Sequence, residues 1–571
     1  MSHPKELNSL HQHLQQTPGP YAWHTICQAI KALPSDHLDA GLKLAKEHLN
    51  HWPHHLRTHS ATPTEWNHNT PPWWTLVRHL HLTYPHTQTH DPPALKLPPD
   101  KLAHITSLSL KHCLFSLDDL EAALNTPLPN TITALDLSEH KLGPQGAKII
   151  SEAAHLPPLT TLNLRNTGIR AEGFIDLAEA QPLPALTTLI LDKNNLDDSD
   201  LLGLHLLFPG LKHLSLNYND FTHELPQTLQ NYPSLQDLEN LSLSGNPIGD
   251  TGATLIAQSP NLTNLTTLDL GNTRLTHEGL TTLLASPHLG RIKDLDISGN
   301  TIGNPFMAPL AKSPLFAQLT HLELGRTDIT DPGLLALAQS PNPPQNLTHL
   351  TLDENHFTAK GIRALANAPW SNTLQHLSLS SLGLDDEAAD ALAASPNMAN
   401  LNRLMLAENN IGPEGAAALA TSSAMRGLRH LDLMFNQIGE HGAKALAASP
   451  EVGHLVELQL AYNEINTSGI MALLFSPHFK SLRRLDLGGE IITDETAYAL
   501  AICPLLTQLH TLTLTDTSIT DEGLEALADS SNIGGLKHLE FNSSEATDEG
   551  WCMLLDSPNL QKTVIWDSAL G

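Results

Sequence analysis

Four histidines fall close together in "HWPHHLRTH": His51, His54, His55 and His59. Imidazole binds metals and exchanges protons near neutral pH, so this cluster is the first place to look for chemistry. A zinc site would need thiolates or carboxylates at a matching spacing, and none completes the set. Solvated histidines on a turn or polar helix are expected, with no metal and no cofactor. The four cysteines, Cys27, Cys113, Cys503 and Cys552, are far apart and form no C-x-x-C pair, which suits a reducing compartment. Cys113 falls on a structural ladder position and Cys503 and Cys552 on helical patterns, so none stands out as a nucleophile. No H-E-x-x-H, phosphate-binding loop, G-x-S-x-G or dinucleotide fingerprint occurs. No catalytic residue is expected, and no enzyme.

The 571 residues carry a formal charge of -29. Much of the acidity precedes apolar helical patterns, at Asp250, Asp385, Asp386, Glu387, Asp494, Glu495, Asp521 and Glu522. Carboxylates favour a helix N-terminus, so these residues read as caps. No run approaches ~20 apolar residues, so no membrane span is expected. "MSHPKELNSLHQHLQQ" has no signal-peptide pattern. A cytoplasmic protein is expected, or one secreted by a signal that cannot be read.

What positions these residues is a repeat. "LENLSLSGNPI", "LNRLMLAENNI", "LRHLDLMFNQI" and "LVELQLAYNEI" share the pattern L-x-x-L-x-L-x-x-(N/T)-x-(L/I), and copies start from Ile105 to Leu536 at a period of 27 almost throughout. With a degenerate copy at Val77 there are about 18. The L-x-L core alternates with period two and predicts a strand with leucines inward. The second half, as in "TDEGLEALADS", has helical spacing, with Thr520 as its cap. Ser-Pro, at Ser259, Ser395 and Ser449, stops the helices. Asparagines at the ninth place (Asn194, Asn219, Asn246, Asn300, Asn355, Asn409, Asn436 and Asn463) should be buried against the backbone.

This pattern is the leucine-rich repeat signature, and the period resembles that of the ribonuclease-inhibitor-like class. The resemblance implies an α/β solenoid, a horseshoe with parallel strands on its concave side and helices outside. It names no single activity, since the class holds inhibitors, scaffolds, receptor sensing arms and the activator of a nuclear small GTPase. Residues 1–72 read as a helical His/Trp-rich cap, 73–559 as the array and 560–571 as a closing half-repeat. In the cap, Leu38, Leu42, Ala45, Leu49 and Trp52 form one apolar stripe, and "TPTEWNHNTPPWW" breaks structure.

The exposed strand places are the second, third, fifth, seventh and eighth of each repeat. Over eighteen repeats they hold twelve Lys or Arg against sixteen Asp or Glu, so no basic stripe exists for nucleic acid. Met434 and Phe435 occupy the seventh and eighth places of one repeat. Met405 and Ala407 lie one strand before, and Ala461 and Tyr462 one strand after. Together they predict an exposed apolar patch rimmed by Arg403, Glu408, Arg429, Asp432 and Glu457, the pattern of a protein interface. Histidine recurs at the third place (His213, His321, His349, His376, His430 and His538). Several stand two residues before an acid, which suggests pairing along a strand, as His321 with Glu323 or His430 with Asp432, and a pH-sensitive surface. The expected function is a non-enzymatic scaffold or inhibitor, a monomer binding a protein on its concave face. A GTPase-activator-like role using Arg326 or Arg403, and a translocated bacterial effector, are the alternatives.

Overall fold

The computed structural model describes residues 5–15, 20–34, 37–61, 71, 74–82, 97–111, 115–153, 155–179, 183, 185–200, 210–230, 235–543, 545–560 and 563–567. Cys113 and most of "TPTEWNHNTPPWW" lie outside them. The chain forms two compact units, residues 1–269 and 270–571.

Both units are stacks of one coil. In the second, the strand Arg403–Met405 is followed by the helix Pro413–Thr421, a short 3-10 turn and the next strand, His430–Asp432. Adjacent strands are parallel and in register, so Arg403, His430, Glu457 and Arg484 face one another across four strands, as do Met405, Asp432, Gln459 and Asp486. The leucines of each L-x-L run, such as Leu431 and Leu433, are fully buried against the helices. Among the described residues the second unit has eleven strands, from Asp294–Asp296 to Val564–Asp567, joined in sequence order. The expected architecture of parallel strands with helices on one side is what the structure shows.

The coils are laced by side chains as well as by leucines. Asn436 accepts the Ile411 N–H at 2.9 Å, and its amide donates to the carbonyls of Leu406 and Leu433 at 2.9 and 3.0 Å. Each such asparagine is buried, and each satisfies backbone groups where the chain leaves the strand. The Ser-Pro serines do more than stop helices. Ser395 Oγ donates to the Ala366 carbonyl at 2.6 Å and Ser557 to Ala528 at 2.5 Å, tying one helix end to the helix before it. Thr520 caps its helix as expected. It also donates to Asp494 at 2.7 Å, so the acids at helix starts bind the neighbouring cap as well as the dipole.

In the first unit, the helices Lys5–Leu14, Pro20–Lys31 and Leu38–Leu49 precede the strands. Ala45, Leu49 and Trp52 are buried, while Leu38 and Leu42 are half-buried. The sheet begins one strand earlier than the leucine pattern predicts. Thr58–Ala61 pairs in parallel with His79–Leu82, and Trp23 Nε1 donates to the Thr58 carbonyl at 2.7 Å. "THSA" has no leucine to announce it. Among the described residues, no helix is long and apolar enough to cross a membrane.

Candidate functional site

The repeat imposes one unusual backbone conformation. After most strands the chain turns so that the ninth-place residue, usually asparagine, tucks inside, and the eighth place takes a positive φ to allow it. Glu408, Phe435, Tyr462 and Asp516 have φ of 56°, 53°, 57° and 54°, and Gly489 has 69°. This left-handed region costs a residue with a Cβ roughly 1–2 kcal/mol, and bulky side chains are the least common there. Glycine or asparagine would be the easy choices. Phe435 and Tyr462 are neither.

Their rings lie parallel, with centroids 4.4 Å apart and planes within 7°. Tyr462 rests on Gly489, where an added Cβ would stand 2.3 Å from its Cδ1. Its hydroxyl donates to the Asp516 carboxylate, which pushes its own ionisation upward. The pair is held in place, yet Phe435 remains 45% exposed and Tyr462 37%. Met434, Met405 and Ala407 are half-buried beside them.

Two residues differ from the expected surface. Ala461 is buried, only 2% exposed, so it floors the platform instead of joining its surface. Asp432 is also buried, and its carboxylate accepts the Met434 N–H at 3.0 Å, so it braces the turn and is no solvated rim. The reason is depth: strands ~4.8 Å apart leave little access between neighbours to a short side chain. Of the other rim residues, Glu408 is exposed and accepts from Ser381 Oγ at 2.8 Å. Arg403 Nη2 lies 3.4 Å from His430 Nδ1. Arg429 donates to the His454 carbonyl at 3.2 Å, at the opposite end of its strand from the rings.

The histidine row also differs from its expected pairing. His321 bonds to Asp294 at 2.6 Å and His430 to Glu457 at 2.9 Å, both across strands. Residues two apart on one strand stand ~6.6 Å apart, while adjacent strands are nearer, so the cross-strand partner wins. His321, His349 and His376 line up with ring centroids 4.0 Å apart at each step. Burial first, then the neighbouring His376 and His321, pushes His349 down to about 4.

In the amino-terminal cluster, the His59 ring meets Trp74 edge-on at 5.8 Å. Among the described residues no group of three or more His, Cys, Asp or Glu could hold a metal. Cys27 and Cys503 are buried, and burial pushes both thiols up, away from the reactive thiolate; Cys552 is exposed on the helix Asp548–Leu555.

The repeats match a known family. Leucine Rich repeat matches residues 129–151, 234–257, 261–284, 318–338, 344–366, 397–420, 426–447, 454–474 and 506–528, and a second Leucine Rich Repeat description matches 210–232. The chain carries leucine-rich repeats. Curated proteins offer no significant match. Solved structures with a similar fold include an internalin (inlF) from Listeria monocytogenes, at 18% identity and TM-score 0.39 over 74% of this chain and 94% of that one. Others are the Rad7 and Elc1 complex in yeast, at 17% and 0.40 over 65% and 83%, and the TLR13–ssRNA13 complex, at 18% and 0.37 over 83% and 67%. These likenesses concern the fold alone.

Across the leucine-rich repeats of the second unit, from Ile292 to Leu536, the total charge hides a segregation. The fifth, seventh and eighth places carry Asp296, Glu323, Asp353, Glu354, Glu408, Asp432, Asp486, Asp516 and Glu540, against Arg326 alone. The second and third places carry Lys293, Arg403, Arg429, Arg483, Arg484 and Lys537 with six histidines, against Asp294 and Glu457. Because the strands are parallel and in register, these become an acidic strip along one end of the strands and a basic strip along the other. Each strip feels its own repulsion. Asp486 is pushed up to about 6, mainly by burial and then by Glu540 and Asp432 of its own strip, with Glu457 from the other strip adding to them. His510, on the basic strip, is pushed down to about 4 by burial and then by Lys537, Arg483 and Arg484. Tallying the five places together conceals this pattern; tallying them separately would have found it.

Proposed function

We propose that this leucine-rich repeat protein is a non-enzymatic binding module, and that the open strand face of its second unit engages a folded protein partner. The observation that carries the reading is the stacked pair of Phe435 and Tyr462, held half-exposed in a backbone conformation that disfavours them. Exposed aromatics anchored in place are what interface hot spots require, because little side-chain entropy remains to be lost on binding. Met434, Met405 and Ala407 extend the apolar area, with Ala461 beneath it. Arg403, Glu408 and Arg429 lie outside it, and Asp432 supports the turn. A single copy of the chain is expected to bind.

The GTPase-activator reading gains nothing from its arginines. Arg326 Nε lies 2.9 Å from Glu354, and Arg403 leans on His430, so neither is poised to complete a partner's nucleotide site. The test is affinity capture with the wild type and with a Met434→Glu, Phe435→Asp double variant whose fold is checked by circular dichroism. A protein retained by the wild type and lost by the variant supports the reading; equal retention by both sinks it.

A further inference from the structure

The eighth place recurs in the first unit with one instructive difference. There Tyr218 rests on Gly245, where a Cβ would stand 2.6 Å from its Cδ1, just as Tyr462 rests on Gly489. Tyr218 is itself 52% exposed, but on its other side the chain supplies a cation of its own. Lys193, the eighth-place residue one repeat earlier, holds its ammonium 5.3 Å from the ring centroid. A cation over an aromatic face is attracted by the negative face of the ring. In the second unit the aromatic stack is one repeat longer, and the residue preceding it is Glu408. That carboxylate is turned back toward Ser381. The place that holds a lysine in one unit therefore holds a negative charge in the other, beside an exposed ring.

We propose that the outer face of Phe435, flanked by the Glu408 carboxylate, takes an arginine or lysine side chain from a basic segment of the partner protein. The inference rests on the strand face being the interface and specifies what that interface recognises. Charge complementarity supports it: the strip containing the aromatic pair holds nine carboxylates and one arginine. A guanidinium or ammonium there would lie against the ring, one repeat from the Glu408 side chain, and it would relieve the mutual repulsion along the strip. An acidic segment would meet only like charge. The chemistry favours arginine, whose planar, weakly hydrated guanidinium stacks on aromatic faces.

The test uses a short labelled peptide of alternating arginine and serine, with its glutamate counterpart as the control, read by fluorescence anisotropy on the full chain. The arginine peptide should bind and the glutamate peptide should not. Phe435→Leu should weaken binding about three- to tenfold, while Phe435→Tyr should retain it. Glu408→Lys, which installs in the second unit the tethered cation that Lys193 supplies in the first, should abolish it. A control that removes equal charge from an outer helix, Glu387→Gln with Asp390→Asn, should leave affinity unchanged. Equal affinity for wild type, Phe435→Leu and Glu408→Lys overturns the proposal, and so does an equal loss in the outer-helix control, which would mark bulk attraction. If the peptide distinguishes none of these variants while the Met434→Glu, Phe435→Asp protein still loses its captured partner, the interface stands and the cation assignment falls. If neither effect is seen, both fall.

Discussion

Replacing Gly489 by alanine tests whether the aromatic pair is held by the repeat backbone, because it alters neither ring. Gly489 has φ of +69°, and a Cβ would stand 2.3 Å from Tyr462 Cδ1. An alanine in that conformation costs about 1 kcal/mol relative to glycine. The overlap is more than an ångström short of ordinary contact, so the tyrosine ring must also leave its seat. That movement gives up the stack on Phe435, about 1 kcal/mol, and disturbs the bond to Asp516. The expected loss of about 2 kcal/mol is local, and a repeat array opens locally before it unfolds as a whole. Hydrogen exchange of peptides covering residues 455–490 is the suitable assay, and the exchange should quicken about 30-fold. Captured partner should fall as well. Gly245→Ala provides the control, with the same kind of overlap against Tyr218; it should loosen its own repeat and leave capture unchanged. Unchanged exchange in Gly489→Ala, or full capture despite faster exchange, would refute the claim that the glycine seat holds a binding surface.

Three further perturbations follow from the same geometry. Burial keeps His349 neutral, with its pKa at about 4 against an ordinary 6.5, so its contribution is complete above about pH 6.5 and is lost as pH falls toward 4. After allowing for solvent screening this is on the order of 1 kcal/mol, and His349→Gln should lower the drop in melting midpoint between pH 7 and pH 5. Glu490 replaces the ladder asparagine of its repeat, accepts the Asn463 and Ile465 N–H groups, and is pushed up to about 7 by burial. Its stabilising contribution is present below about pH 4.5 and is lost as pH rises through 7, so Glu490→Gln should raise the melting midpoint at pH 8 and change it little at pH 4. Asn436→Ala leaves the Ile411 N–H without its acceptor and takes one donor each from the Leu406, Leu433 and Met434 carbonyls, which keep the Asn409 amide, the Asn463 amide and the Glu408 N–H; it should cost roughly 1–3 kcal/mol, read as faster exchange in the two adjoining repeats.

Much of the fold was legible because the repeat states its physics openly. A period of 27 with L-x-L and a buried asparagine leaves few ways to satisfy the backbone, and the structure follows it. The first strand, Thr58–Ala61, was not legible because no leucine marks it; its place comes from pairing with His79–Leu82 and from the Trp23 bond. For the candidate site, the pattern gave the direction of side chains but not their depth, so Ala461 and Asp432 were expected at a surface they lie beneath. The pairing of His321 with Asp294 depends on strand spacing and was hidden by looking along one strand at a time. The stacking of Phe435 on Tyr462, and the glycine beneath them, required the left-handed turn to be seen.

The central claim is that the open strand face, and not the outer helices, meets the partner. Phe475 is an equally exposed aromatic, at 44%, just beyond the helix Thr467–Leu474. Installing a photoreactive benzoylphenylalanine at Phe435 in one sample and at Phe475 in another, then irradiating each in lysate from the source cells, compares the two surfaces directly. The account predicts a specific protein crosslink from position 435 and none from position 475. A crosslink from 475 with none from 435 would contradict it.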